Sequence, residues 1–313
     1  MIIKIFWFIL ALILMIPPLV HKDLYLVINN DTAEHLKVFQ SIKSGNPSFL
    51  YLGQKIVGYS LVWLEKVIRI DIPTLFMWFN YICLYLSGVC VGVLVQAVSD
   101  SKLGGLLSAY MIIFGISPTL HLFYSGTIFN IIEILILLPI TLLVTFTIIK
   151  SKNLWWLLLL IPLSIIVYKF HPSLSYSIFS VNEQLPYESA INPITVVRQM
   201  LGAAVVGLLL LTSVTIYKIK PIVYSGTKII IVSLTILMAG MFGLSFIGIT
   251  NYSSRVVMNG CLLLGIIICI LVGIAINGNK SKLITYSISG FVVISVIPNL
   301  IHWLSFPIIR SVS

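Results

Sequence analysis

The 313 residues are 59% hydrophobic and only 9% charged, with a mean hydropathy of +1.11. Soluble domains carry about 25% charged residues, so this composition excludes a water-soluble globular protein. The net charge of +10 is not a nucleic-acid footprint, because Lys and Arg concentrate in short loops between apolar runs, where topology and anionic headgroups favour them.

Apolar runs of 18 or more residues recur along the chain, which predicts an all-α polytopic membrane protein. A membrane β-barrel would show short alternating patterns instead. The first run, "MIIKIFWFILALILMIPPLV", has the charge and apolar core of a signal peptide but no small-x-small cleavage site. Pro17-Pro18 stands where cleavage would fall, so a retained signal anchor is expected. About nine spans follow from hydropathy: 2–20, 74–97, 104–123, 128–149, 154–170, 200–217, 228–248, 256–276 and 283–303. Residues 1–303 would then form a single transmembrane domain, with 304–313 a short outward tail.

The loops after the second, fourth, sixth and eighth spans carry Lys102, Lys150, Lys152, Lys218, Lys220, Lys228, Lys280 and Lys282. Those after the third and seventh carry only Arg255. This bias puts the N-terminus in the cytoplasm. Loops 21–73 and 171–199 then face outward. The first should hold two amphipathic, interfacial helices, "DTAEHLKVFQSIKSG" and "QKIVGYSLVWLEKVIRI", each with an apolar side for the bilayer or the bundle. The second is polar and broken by Pro172, Pro186 and Pro193.

Of nine acidic residues, this topology leaves only Asp100 on the cytoplasmic side. Carboxylate chemistry is therefore expected at the outer face. Asp31, Glu34 and His35 fall at helical spacing at the start of the first outward helix. Asp31 and Glu34 also fit a capping-box variant, in which Asp31 caps the helix. Glu133 lies about 10 Å into the fourth span at the helical rise, where a carboxylate needs a wet or paired environment. His121, Tyr124 and Asn130 are near it in sequence. Arg255, at the outer end of the eighth span, suits a phosphate or outer headgroups. Lys169, His171 and Arg198 are further basic candidates at the same side. Asp31 and Glu133 could together hold a divalent cation. The four cysteines, all within apolar segments, are expected to be core residues. No nucleotide-binding loop, zinc motif or nucleophile elbow is present.

"DTAEHLKVFQSIKSGN", "IPTLFMWFNYICLYLSGVCVGVLVQA" and "LFYSGTIFNIIEILILLPITLL" together resemble the GT-C superfamily of integral-membrane glycosyltransferases, such as protein O-mannosyltransferases and lipid A aminoarabinose transferases. The resemblance covers residues 1–150, and the remainder only in topology. It implies a GT-C-like fold in a prokaryotic plasma membrane and transfer of a sugar from a polyprenyl-phosphate donor to a glycan, lipid or protein acceptor. It implies that Asp31 is the catalytic base and that Arg255 binds the donor phosphate, with no nucleotide and no nucleic acid involved. Glu34, His35, His121, Tyr124, Lys169 and His171 become substrate-binding candidates. Many relatives carry a second acid between the third and fourth spans. "YSG" has none there, so Glu133 would substitute from within the helix. A transporter or flippase for a lipid-linked or polar substrate, and a non-catalytic membrane subunit, are the alternatives.

Overall fold

The computed structural model describes residues 2–20, 30–47, 51–124, 127–170, 203–219, 223–246, 253–279 and 281–310. Among these residues the chain is almost wholly helical and holds no strand. In order, the helices are α1 (Ile2–Val20), α2 (Asn30–Lys43), α3 (Leu52–Ile68), α4 (Ile72–Ser99) and α5 (Lys102–Tyr110), which runs into a π-helical turn at Met111–Gly115. Then come α6 (Ser117–Tyr124), α7 (Ile128–Ile131) with a second π-helical segment at Ile132–Leu137, α8 (Leu138–Ser151), and α9 (Leu157–Phe170) after a 3-10 turn at Leu154–Trp156. Finally there are α10 (Ala203–Ile219), α11 (Ser225–Phe246), α12 (Ser253–Gly278) and α13 (Lys282–Arg310).

Five stretches are long and apolar enough to cross a membrane: Ile72–Ser99, Ile128–Ser151, Ser225–Gly243, Val256–Gly278 and Lys282–Leu304. A sixth is the bent pair Lys102–Gly115 and Ser117–Phe123. The expected spans 2–20, 154–170 and 200–217 correspond to shorter apolar helices, Lys4–Leu19, Leu154–Phe170 and Val205–Lys218. Residues 304–310, expected as tail, continue α13. The loop 171–199 lies outside the described residues.

The expected continuous span 104–123 is instead two helices meeting at 56°. The cause is local: Pro118 has no N–H to donate and its ring clashes with the turn before it, so the first helix cannot run through it and a new one starts at Ser117. Ile116 is extended there, at φ −98° and ψ 96°. In hydrocarbon each freed carbonyl needs a partner. Met111 O accepts from the Ile116 N–H at 2.8 Å, Ile112 O accepts from the Thr119 hydroxyl, and Phe114 O accepts from Asn299 Nδ2 on α13. The π-helical stretch Ile132–Leu137 has a similar origin. Pro139 sits at the start of α8 and cannot donate to the preceding turn, so the ladder widens and the Leu138 N–H bonds Glu133 O.

Helix α4 is central, packing on α1, α3, α5, the α7–α8 rod and α12. Without water to drive association, helices in lipid depend on close packing at small residues. Gly92 and Gly105 bring α4 and α5 into backbone contact: a Cβ at Gly105 would lie 2.6 Å from Gly92 O. On the other side of α5, a Cβ at Gly104 would lie 2.6 Å from the Gly273 Cα of α12. Helix α1 is built into this bundle, with Leu10 and Leu14 fully buried. Tyr110 donates to Phe6 O at 2.7 Å and Trp303 Nε1 to Ile13 O at 3.1 Å. The four cysteines are free and lie within the helices.

Gly105→Val should destabilise the folded protein by about 1–3 kcal/mol through overpacking, read as a lower detergent-solubilised unfolding midpoint. Gly240→Ala, with nothing within 4 Å of its added Cβ, should leave that midpoint unchanged. Equal effects from both would exclude the glycine seam as the closest constraint.

Candidate functional site

Helix α2 begins at Asn30, so Asp31 falls inside the first turn rather than at the cap expected for it. Its position near the positive helix end is still favourable for a carboxylate, and its side chain lies outside the described residues. Glu34 is exposed, and His35, three residues into the expected acidic face, is only 6% exposed.

His35 sits within an aromatic cage. Its ring meets Phe129 edge-on at 4.6 Å, Phe76 at 6.0 Å, and Phe39 and Tyr51 at 6.5 Å each. Gln54 Nε2 lies 3.1 Å from His35 Nδ1. With the amide donating, the ring is the neutral tautomer carrying its proton on Nε2. Four elements thus meet at one imidazole: α2, α3, α4 and α7. Gly53 allows α3 to approach, since a Cβ there would lie 2.7 Å from Phe170 O and 3.0 Å from Phe129 Cδ1.

Phe129 leads directly into a buried polar cluster. Asn130 follows it, and Glu133 lies one turn on, within the π-helical stretch and fully buried. Asn130 Nδ2 donates to Asn259 Oδ1 of α12 at 3.3 Å. Asn130 and Asn259 are each 1% exposed, and Asn80 of α4 is 6% exposed. Asn259 Nδ2 and Asn80 Oδ1 have no hydrogen-bond partner among the described residues. An unmet amide donor and an unmet amide acceptor in an apolar interior each cost about 1–3 kcal/mol, so both atoms are open to a polar guest or a water. Asn80, Asn259 and Gln54 escape the sequence reading. The signal available was a lone amide inside an apolar run, which marks a polar contact but not its partner.

Arg255 lies one helical turn before Asn259, in the first turn of α12. Its side chain lies outside the described residues, as does that of Tyr124, and His171 and Arg198 lie outside entirely. The helices carrying Asp31, Glu133 and Arg255 therefore converge on Phe129–Asn130, through the His35 ring on one side and the Asn259 amide on the other. His121 and Lys169 are exposed. The Lys169 ammonium rests 5.3 Å from the centroid of the neighbouring Tyr168 ring, and among the described residues no side-chain hydrogen bond or ion pair ties either residue to the cluster. No group of three or more His, Cys, Asp or Glu side chains among the described residues could hold a metal ion.

No family model matches this sequence, and no curated protein matches it at a significant level.

Removing His35 would empty the cage and take one hydrogen-bond partner from the Gln54 amide. His35→Ala should therefore cost on the order of 2–4 kcal/mol, in the range of large core deletions, whereas Glu34→Ala at the exposed position should leave stability unchanged. Thermal unfolding in detergent reads both. A neutral His35→Ala would mean that α2 is not held by this contact.

Proposed function

We propose that the chain is a membrane glycosyltransferase that moves a sugar from a polyprenyl-phosphate donor to an acceptor on the outer face. In this reading the three shorter apolar helices also cross, giving nine spans with the N-terminus in the cytoplasm of a prokaryotic plasma membrane. α2 and α3 lie at the outer surface. The observation that carries it is the meeting of α2, the Glu133-bearing π-helical segment and the first turns of α12 around Phe129–Asn130. In this reading Asp31, Glu133 and Arg255 share that end of the bundle.

The chemistry is an inverting displacement. Asp31 accepts the proton of the acceptor hydroxyl as its oxygen attacks the sugar C1, and the C1–O bond to phosphate breaks with its electron pair leaving on the polyprenyl phosphate. An ionised carboxylate within hydrogen-bond reach suffices as the base. Arg255 binds the phosphate, whose charge rises as it leaves, with the fork geometry suited to it. Glu133, Asn130 and Asn259 orient the acceptor or a divalent cation. Glu34, Tyr124, His121, Lys169 and His171 stand as rim positions for the substrates, and His35 acts by holding α2 rather than by touching substrate. A lipid-linked donor stays in its leaflet, so the reaction needs no nucleotide site.

The broken α5–α6 pair gives separate support to a transporter or flippase, because interrupted helices near polar clusters are a feature of substrate pathways. A non-catalytic subunit would be indifferent to Asp31 and Arg255.

Reconstituted in liposomes with a labelled polyprenyl-phosphate hexose, Asp31→Asn should lower transfer by about 10²-fold or more with unfolding unchanged. Arg255→Ala should raise the donor KM. Full transfer by Asp31→Asn would remove it as the base, and movement of the labelled lipid between leaflets without sugar transfer would favour the transporter.

A further inference from the structure

Far from the polar cluster, at the end of the bundle where α4 and α8 terminate, a cleft of about 420 Å³ opens between these helices and the start of α5. The run from Glu133 to Ser151 is 18 residues, or roughly 27 Å at the helical rise, so this cleft belongs to the opposite membrane face. One wall is apolar, from Val93 and Ala97 of α4 and Phe146 of α8, and Val93 is partly exposed on the bundle's flank. The rim is polar: Gln96, Asp100, Lys102, Thr147, Lys150 and Ser151.

The hydrogen bonds decide which rim groups remain for a ligand. Thr147 Oγ1 donates to Leu143 O and Ser151 Oγ to Thr147 O, so neither hydroxyl offers its proton outward. Ser101 Oγ accepts from the Gly104 N–H and already caps α5. The donors left are the ammonium groups of Lys102 and Lys150 and the Gln96 amide. The single ion pair among the described residues is Lys43–Glu65, so neither lysine is neutralised, even by Asp100 in the same cleft. The Lys150 ammonium lies 5.8 Å from the Phe146 ring centroid, at the junction of apolar wall and polar rim.

The walls are also fixed from behind. Thr227 Oγ1 of α11 donates to Val98 O at 2.7 Å, and Tyr224 OH donates to Ile149 O at 3.3 Å. The Tyr224 ring meets Phe146 edge-on at 5.8 Å. The N-terminal end of α11 therefore ties the last turns of α4 and α8 together behind the cleft.

We propose that this cleft is a binding site for the headgroup of an anionic phospholipid of the lysine-rich leaflet. Two cations against one carboxylate give a net charge of +1 in the cleft, which matches a phosphodiester of net charge −1. Lys102 and Lys150 take the phosphate, and Asp100 accepts from a headgroup hydroxyl. The apolar wall of Val93 and Phe146 carries the first part of an acyl chain down the flank. The site is independent of the transferase reading above.

The test is lipid retention by the full chain, purified in detergent, exchanged against vesicles of phosphatidylglycerol, phosphatidylethanolamine or phosphatidylcholine, and read by native mass spectrometry. Wild type should retain phosphatidylglycerol in preference to both others. Lys102→Ala with Lys150→Ala should lose that preference by on the order of fivefold per lysine. Lys218→Ala with Lys228→Ala removes the same charge outside the cleft and should leave the preference intact. An equal loss in both double variants would reduce the effect to general surface charge and overturn the site. Retention of phosphatidylethanolamine equal to phosphatidylglycerol, abolished by Asp100→Asn, would overturn the anionic assignment. Unfolding midpoints measured without lipid separate loss of binding from loss of fold.

Discussion

The backbone contact between Gly92 and Gly105 sets the geometry from which the rest of the molecule follows. Lipid chains are as apolar as the side chains they compete with, so no hydrophobic gain draws α4 to α5. What holds them is proximity itself: at a separation that leaves no room for a Cβ, many weak dispersion contacts add up. Gly104 and Gly273 repeat the device towards α12, making a three-helix seam. Because α4 also carries α3 and the α7–α8 rod on its other sides, the seam fixes where Phe76 stands, and hence where the aromatic cage can form.

A second constraint runs through the irregular segments. Two prolines, Pro118 and Pro139, each remove a backbone donor from a helix that has no water to replace it. The chain answers in two ways. At Pro118 the helix breaks, and the freed carbonyls are met by Thr119 and by Asn299 from α13. At Pro139 it widens into a π-helical stretch that holds Glu133. Such widenings are frequent at functional sites. Here the widening coincides with the only stretch where a carboxylate and an amide pair, Asn130–Asn259, are buried together among the described residues.

Hydropathy made the helical class, the apolar stretches and the two helices of the first loop legible, because each depends on local composition and period. The break at Ile116 was not read, although Gly115 and Pro118 signal it, because an apolar run scores as one span whether or not its ladder is continuous. The burial of His35 is not legible from spacing, for a different reason. Spacing shows which residues share a helix face, but the element covering that face is settled by contacts distant in sequence, such as Phe76 and Phe129. The convergence of Asn259 on Asn130 was likewise invisible, since 129 positions separate them.

These contacts decide what the position of α2 depends on. α2 is too polar to be a membrane span, so its position depends on the contacts it makes with the other helices. The Lys43–Glu65 pair at 2.8 Å ties its far end to α3, but Lys43 is exposed, and such a pair contributes only about 0–1 kcal/mol. The larger hold is His35 and Phe39, buried against α3, α4 and α7. α3 is in turn two-sided: Val57, Leu61 and Val62 face the bundle, while Ile56, Tyr59, Trp63 and Val67 are exposed in a second apolar stripe. A helix apolar on both sides, with Trp and Tyr on its outer one, is suited to the bilayer interface. α2 is thus held between α3 and the bundle, and the position of Asp31 on it follows from the buried His35 one turn away.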